Sequence, residues 1–126
     1  MGEFVIRKVA TGVNFDLLAG NGEIIATSEV YKTEAACRKG MESVCKNAQR
    51  AKLEEHPEGA VGLTCPKFEL YQDKAGAYRF RLRSRNGAIV AASEAYSTKN
   101  GCLEGIESVR KNANFAENAI FYPSKY

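Results

Sequence analysis

The stretch Asn21–Ala48, NGEIIATSEVYKTEAACRKGMESVCKNA, is written a second time at Asn86–Ala113 as NGAIVAASEAYSTKNGCLEGIESVRKNA, at a constant offset of 65. Extending the register back to Phe15 and Phe80 aligns 34 positions, of which 18 are identical. This is a tandem duplication, so the architecture must be one that a single unit can form twice. At 126 residues the chain has ordinary single-domain length, and a domain of that size buries roughly two-thirds of the surface its unfolded chain exposes. Half of it would be marginal alone. The expectation is one domain over residues 1–126, with repeat one at about 1–64 and repeat two at about 65–126, sharing one core.

Upstream of the repeated stretch, Phe4-Val5-Ile6-Arg7-Lys8 reads as a short strand, and Asn14 to Ala19 alternates Phe15 and Leu17 against Asn14 and Asp16. Thr11-Gly12 supplies the turn between them. Asn21-Gly22 then precedes Glu23 to Thr27, and this dipeptide predicts a two-residue type I′ hairpin turn. The second copy repeats the pattern: Phe68 to Tyr71, a turn at Asp73-Lys74-Ala75-Gly76, Tyr78 to Ser84, Asn86-Gly87, then Ala88 to Ala92. Period-2 alternation places Phe15/Phe80, Leu17/Leu82, Ile24/Ile89 and Ala26/Ala91 on the core face.

Each meander is followed by Ser-Glu-x-Tyr and a helix beginning near Thr33 or Thr98, whose hydroxyl suits an N-cap. Cys37, Gly40, Met41, Val44 and Ala48 fall at spacings of three and four, as do Cys102, Gly105, Ile106, Val109 and Ala113. Gly40 and Gly105 inside these stripes each cost about 1 kcal/mol of helix propensity against alanine, which predicts close approach of the helix to the sheet. Residues 49–67 join the repeats: a charged, turn-rich piece, Gln49 to Gly59, precedes a candidate fourth strand at Ala60–Thr64. Its counterpart is Ala119–Tyr122, so each repeat reads β-β-β-α-β.

The segment N-G-x-I-x-A-x-S-E-x-Y, followed by C-x-x-G-[MI]-E-S-V-x-K-N-A, resembles the YegP-like family of small bacterial proteins of uncharacterised function, over nearly the whole chain and in both copies. The resemblance implies β3-α-β units forming a single sheet with exchanged C-terminal strands, here near Ala60–Thr64 and Ala119–Tyr122. It brings no catalytic residue, cofactor or established partner. The fold expectation is therefore an α+β domain of two tandem repeats about a pseudo-twofold axis, with one antiparallel sheet and both helices on one face.

Composition narrows the function classes. Met1 to Lys8 has too short an apolar run for a signal peptide or a membrane span, so a cytoplasmic protein without membrane contact is expected. Cys37, Cys45, Cys65 and Cys102 form no C-x-x-C pair and have one histidine, His56, for company; the spacing argues against zinc. His56, beside Pro57, reads as a linker residue. No glycine-rich phosphate loop, nucleophile elbow or two-histidine metal pattern occurs, and no base lies near Ser28 or Ser93 in sequence. A non-enzyme without cofactor is expected.

The net charge of +3 is unevenly shared: residues 1–63 carry 8 basic and 9 acidic side chains, residues 64–126 carry 10 and 6. The surplus concentrates in Arg79, Arg81, Arg83 and Arg85, which alternate with Phe80, Leu82 and Ser84. On a strand all four guanidinium groups would project to one face, a basic stripe of about 20 Å at roughly 3.3 Å per residue. Arginine binds phosphate bidentately, so this stripe is the candidate contact for nucleic acid or another polyanion. Against it stands the structural reading, in which Glu69, Tyr71 and Asp73 share that face and pair with the arginines. The duplicated Ser28-Glu29-x-Tyr31 and Ser93-Glu94-x-Tyr96 and the terminal Lys46-Asn47 and Lys111-Asn112 are assigned structural roles at the two helix ends. A protein–protein module is the alternative function, with outward Ile25, Thr27, Val90 and Ala92 as an apolar patch at the sheet centre. The partner is thus a polyanion or a protein, and the assembly a monomer or small homo-oligomer.

Overall fold

The computed structural model describes residues 3–55, 64–113 and, for the backbone alone, 121–123. Strands β1 (Glu3–Val9), β2 (Gly12–Leu18) and β3 (Ile24–Thr27) precede helix α1 (Glu34–Ala48) and strand β4 (Lys52–Glu55). The second unit repeats the order as β5 (Lys67–Gln72), β6 (Tyr78–Arg83), β7 (Ile89–Ala92), α2 (Lys99–Asn112) and β8 (Phe121–Pro123). All eight strands join one sheet in the order β4-β5-β6-β7-β3-β2-β1-β8. The two meanders meet at the centre, where Thr27 pairs antiparallel with Ala92, its own repeat equivalent. The pseudo-twofold axis passes between these two residues.

The terminal strand of each unit pairs with the other unit: β4 lies against β5 and β8 against β1. The exchange implied by the family resemblance is present within this single chain. Two corrections accompany it. Both exchanged strands run parallel to their neighbours, so the sheet is mixed rather than antiparallel. The fourth strand is also Lys52–Glu55, inside the piece expected to be a charged connector; residues 60–63 of the expected strand, and His56, lie outside the described residues. Lys52, Glu54 and Glu55 are charged, as suits a sheet edge, and the buried Glu54 is paired with Lys67. Of the counterpart Ala119–Tyr122, the described part, Phe121 onward, is strand.

The hairpins explain a second difference. Ala19 N–H donates to Glu23 O and Gly22 N–H to Ala19 O, and the second copy repeats this with Ser84, Gly87 and Ala88. These bonds close three-residue loops, with φ of 88° at Gly22 and 89° at Gly87, in place of the two-residue turns expected. A register shift results in β2–β3, between Leu17 and Leu18, and in β6–β7, between Leu82 and Arg83. One additional residue inverts the facing of the strand beyond it. Ile24, expected in the core, is 37% exposed, whereas Ile25 and Val90, expected outside, join the core at 6% exposure each.

Ile89, also expected in the core, is only half-buried by the same shift, and the rest of the core is as the alternation predicts. Phe15, Leu17, Phe80 and Leu82 are fully buried, with Ala26 and Ala91 beside them. Both helices pack on this face, and each reaches strands of both units, so the core is shared. Thr33 and Thr98 cap α1 and α2 by accepting from Ala36 N–H and Gly101 N–H. The helical glycines make room for the duplicated tyrosines: a Cβ at Gly40 or Gly105 would stand 2.3 Å from the hydroxyl of Tyr31 or Tyr96. Those rings in turn stack on Phe15 and Phe80, at centroid distances of 6.5 and 6.3 Å. The close approach expected of the glycines is therefore to a tyrosine wedged between helix and sheet.

Candidate anion-binding face

Strand β6 lies between β5 and β7, with Phe68 opposite Leu82, Leu70 opposite Phe80 and Glu69 opposite Arg81. With Phe80 and Leu82 drawn inward, Arg79, Arg81 and Arg83 stand together on the open face. Arg85 does not join them. Strand β6 ends at Arg83, the register shift intervenes, and Arg85 falls in the hairpin loop beside a groove against α1. The stripe is thus three arginines over about 13 Å, at roughly 3.3 Å per residue.

Carboxylates hold all three. Arg79 Nε donates to Asp73 Oδ2 at 2.8 Å, while Arg81 Nε and Arg83 Nε converge on Glu69 Oε1 at 2.5 and 2.8 Å. The other Glu69 oxygen meets Lys67 Nζ at 3.3 Å, and Lys67 reaches Glu54 at 2.6 Å. Arg81 also lies over the Tyr71 ring, 4.6 Å from its centroid. Four cations and three carboxylates thus share this face in mutual pairs, as the structural reading anticipated. Burial acts to raise the Glu69 carboxyl, but the hydrogen bonds from Arg81 and Arg83 prevail and hold it below the ordinary carboxylate range. The bond from Arg79 does the same for Asp73. Lys67 is pushed up by its bond to Glu54.

The outer edge of each guanidinium stays available. The pairs use Nε, so both terminal nitrogens of Arg79 and Arg81 make no hydrogen bond among the described residues; Arg83 spends Nη1 on Gly87 O. The three side chains are 39%, 29% and 28% exposed. Each guanidinium is therefore fixed through Nε, with both terminal nitrogens open on Arg79 and Arg81 and Nη2 alone on Arg83, an arrangement that accepts an oxyanion without a further loss of rotamer freedom.

The equivalent strand of the other unit is unlike it. Asn14, Asp16 and Leu18 take the places of the three arginines, and Asp16 pairs with Arg7 at 2.5 Å and accepts from Thr27 Oγ1 at 2.8 Å. The remaining sequence candidates fall into structural roles. Ser28 Oγ accepts from Phe15 N–H and donates to Glu29 O, and Ser93 does the same with Phe80 and Glu94. These hydroxyls complete the sheet rather than cap the helices as expected. Asn47 and Asn112 bond back to Ser43 and Ser108. The apolar patch expected of Ile25, Thr27, Val90 and Ala92 is not exposed as such: Ile25 and Val90 are buried by the register shift. Thr27 and Ala92, each half-buried, remain at the sheet centre.

The family profile of DUF1508, a domain of unknown function, matches residues 10–55 and 73–119, one copy for each repeat. The chain belongs to the DUF1508 family. A UPF0339 protein of Treponema denticola is 62% identical over 47 residues, which are 37% of this chain and 81% of that protein. It is thus the length of one repeat. A UPF0339 protein of Pseudomonas aeruginosa is 36% identical over 110 residues, 86% of this chain and 87% of the relative. In the solution NMR structure of YegP from E. coli, a protein of unknown function, the fold recurs with a TM-score of 0.75 at 29% identity, over 98% of this chain and 92% of that one. These names carry no catalytic activity or partner. No helix among the described residues is long and apolar enough to cross a membrane.

Proposed function

We propose that this DUF1508 protein is a non-catalytic binding module that takes an anionic partner such as nucleic acid along β6. The supporting observation is the end-open posture of Arg79, Arg81 and Arg83, each anchored through Nε by Asp73 or Glu69. Phosphates spaced along a strand of nucleic acid would meet the outward guanidinium edges in succession, and Tyr71 beneath Arg81 adds an aromatic surface. Phosphate pairing of this kind gives affinity that falls with salt.

The test is binding of the full chain to a fluorescent single-stranded DNA across a salt series, with R79A/R81A/R83A as the comparison. Every arginine–phosphate pair that the variant abolishes should lessen the slope of log K against log salt by about 0.7 for a single strand. Unchanged affinity and slope in the triple variant would reject the stripe. Salt-insensitive association of the chain with a protein would instead favour the alternative, a protein–protein surface at the sheet centre around Thr27 and Ala92.

A further inference from the structure

Arg85, which leaves the stripe, enters a second cationic constellation. A groove of about 410 Å³ runs between the C-terminal turns of α1 and the β6–β7 hairpin, and Lys46, Arg50 and Arg85 line it together with Ser43, Asn86 and Pro66. No carboxylate is among the lining residues. The three cations are exposed, and none makes an ion pair or side-chain hydrogen bond among the described residues. They differ in this from the stripe arginines, all of which are paired. Asn86 Oδ1 accepts from Ser84 Oγ and Ala88 N–H, which turns the amide and leaves its Nδ2 donors unspent.

We propose that this groove is a binding site for a phosphate-bearing small molecule, gripped by Arg85 and Arg50 with Lys46 as a third charge. The volume falls within the usual range of small-molecule sites, ~300–1,000 Å³. Two guanidiniums and an ammonium on one groove, Lys46 and Arg50 from the end of α1 and Arg85 from the hairpin, suit a compact, multiply charged group. The negative end of the α1 dipole opposes an anion here, but it amounts to roughly half a charge, against three positive ones. Its carbonyls are also partly engaged, since Asn47 O accepts from both Arg50 N–H and Ala51 N–H.

The duplication supplies an internal control. At the offset of 65, Lys46 corresponds to Lys111, but Arg85 corresponds to Gly20 and Arg50 to Phe115. The lysine recurs in both copies, where it complements a helix C-terminus. The two arginines occur in one copy only, and both border the same groove. The site is independent of the stripe, with which it shares no residue.

The experiment is a two-dimensional amide NMR titration of the full chain with inorganic pyrophosphate, ADP and adenosine in turn. Pyrophosphate and ADP should shift the amides of Ser43, Lys46, Asn47 and Ser84 to Gly87 saturably, with a Kd of about 1 mM or tighter, and adenosine should not. A response to pyrophosphate but not ADP would place the site with free polyphosphate, and tighter binding of ADP would place it with nucleotides. R50A/R85A should weaken binding at least about tenfold, while R79A/R81A/R83A leaves it unchanged. Absence of saturable shifts at these amides, or equal binding by R50A/R85A, would overturn the proposal. Both variants change exposed or end-open side chains, and retention of the remaining amide spectrum reports that each is folded.

Discussion

Phe15 and Phe80 occupy the same place in the two units. Each is fully buried, edge-on to an upstream phenylalanine (Phe4 at 5.3 Å, Phe68 at 5.9 Å) and stacked on a tyrosine. One residue further along the strand the likeness ends: Asp16 stands where the other unit has Arg81. Across from them, Val5 faces Asp16 whereas Glu69 faces Arg81. Alternation along a strand separates the two constraints, because one side chain must fill a shared interior and the next meets water. The interior has changed only between apolar side chains, as in Met41 for Ile106 and Ile25 for Val90, whereas the exterior has been free to diverge in charge.

The largest test of this contrast lies in the interior. Phe15→Ala and Phe80→Ala should each destabilise the fold by about 3–5 kcal/mol, as expected for a truncated buried phenylalanine, and by amounts equal to within about 1 kcal/mol. Urea unfolding of both variants measures this. A large inequality would break the equivalence of the two half-cores.

A smaller effect should separate the exteriors. Glu69→Gln removes the carboxylate shared by Lys67, Arg81 and Arg83 and should cost about 1–3 kcal/mol at neutral pH, the range for a hydrogen bond to charged groups. Its pH dependence has a definite sign. The folded-state value lies below the ordinary 4.5, so the stabilisation is present above that pH and is lost as pH falls through the depressed value. Thermal melts of the parent should therefore show an acid limb that is shallower in Glu69→Gln. Lys67, raised above 10.5, contributes in the other direction: its share is present below that pH and is lost as pH rises through the folded value. If the acid limb is the same in parent and variant, the network does not stabilise this face.

The smallest effect at neutral pH belongs again to the interior. Burial pushes the Cys37 and Cys102 thiols from 9.0 up to about 11. Below pH 9 both folded and unfolded chains carry the neutral thiol; between about 9 and 11 only the unfolded chain ionises, so stability falls as pH rises. Cys37→Ala and Cys102→Ala should each remove a similar part of that alkaline slope. A slope removed by one variant alone would sharpen the comparison by showing where the half-cores differ.

Much of the fold was legible from the duplicated stretch, for a physical reason. Side-chain alternation and helical spacing are short-range, and with two copies each assignment is made twice; the caps at Thr33 and Thr98 and the buried Phe, Leu and Cys positions come from them. The candidate site was half legible. Alternation places Arg79, Arg81 and Arg83 on one face with Glu69 and Asp73 as their partners, but it also places Arg85 there, because a three-residue loop and its register shift leave no mark in a two-residue periodicity. The same shift reversed Ile24 and Ile25. In the sequence the groove cations Lys46 and Arg50 mark only the end of a helix and the start of a connector.

The sequence by itself determined the order of elements, the shared interior and the strand on which the charge difference lies, since these depend on neighbours a few residues apart. Tertiary structure alone decided the rest. Pairing of β4 with β5 made a strand of four mostly charged residues, because the edge of the other unit offered its backbone partners and Lys67 neutralised Glu54. Folding also brought Lys46 and Arg50 to Arg85, across a separation in sequence that no local pattern encodes. Each unit is completed by a strand of the other, and the proposed groove likewise draws its cations from both units.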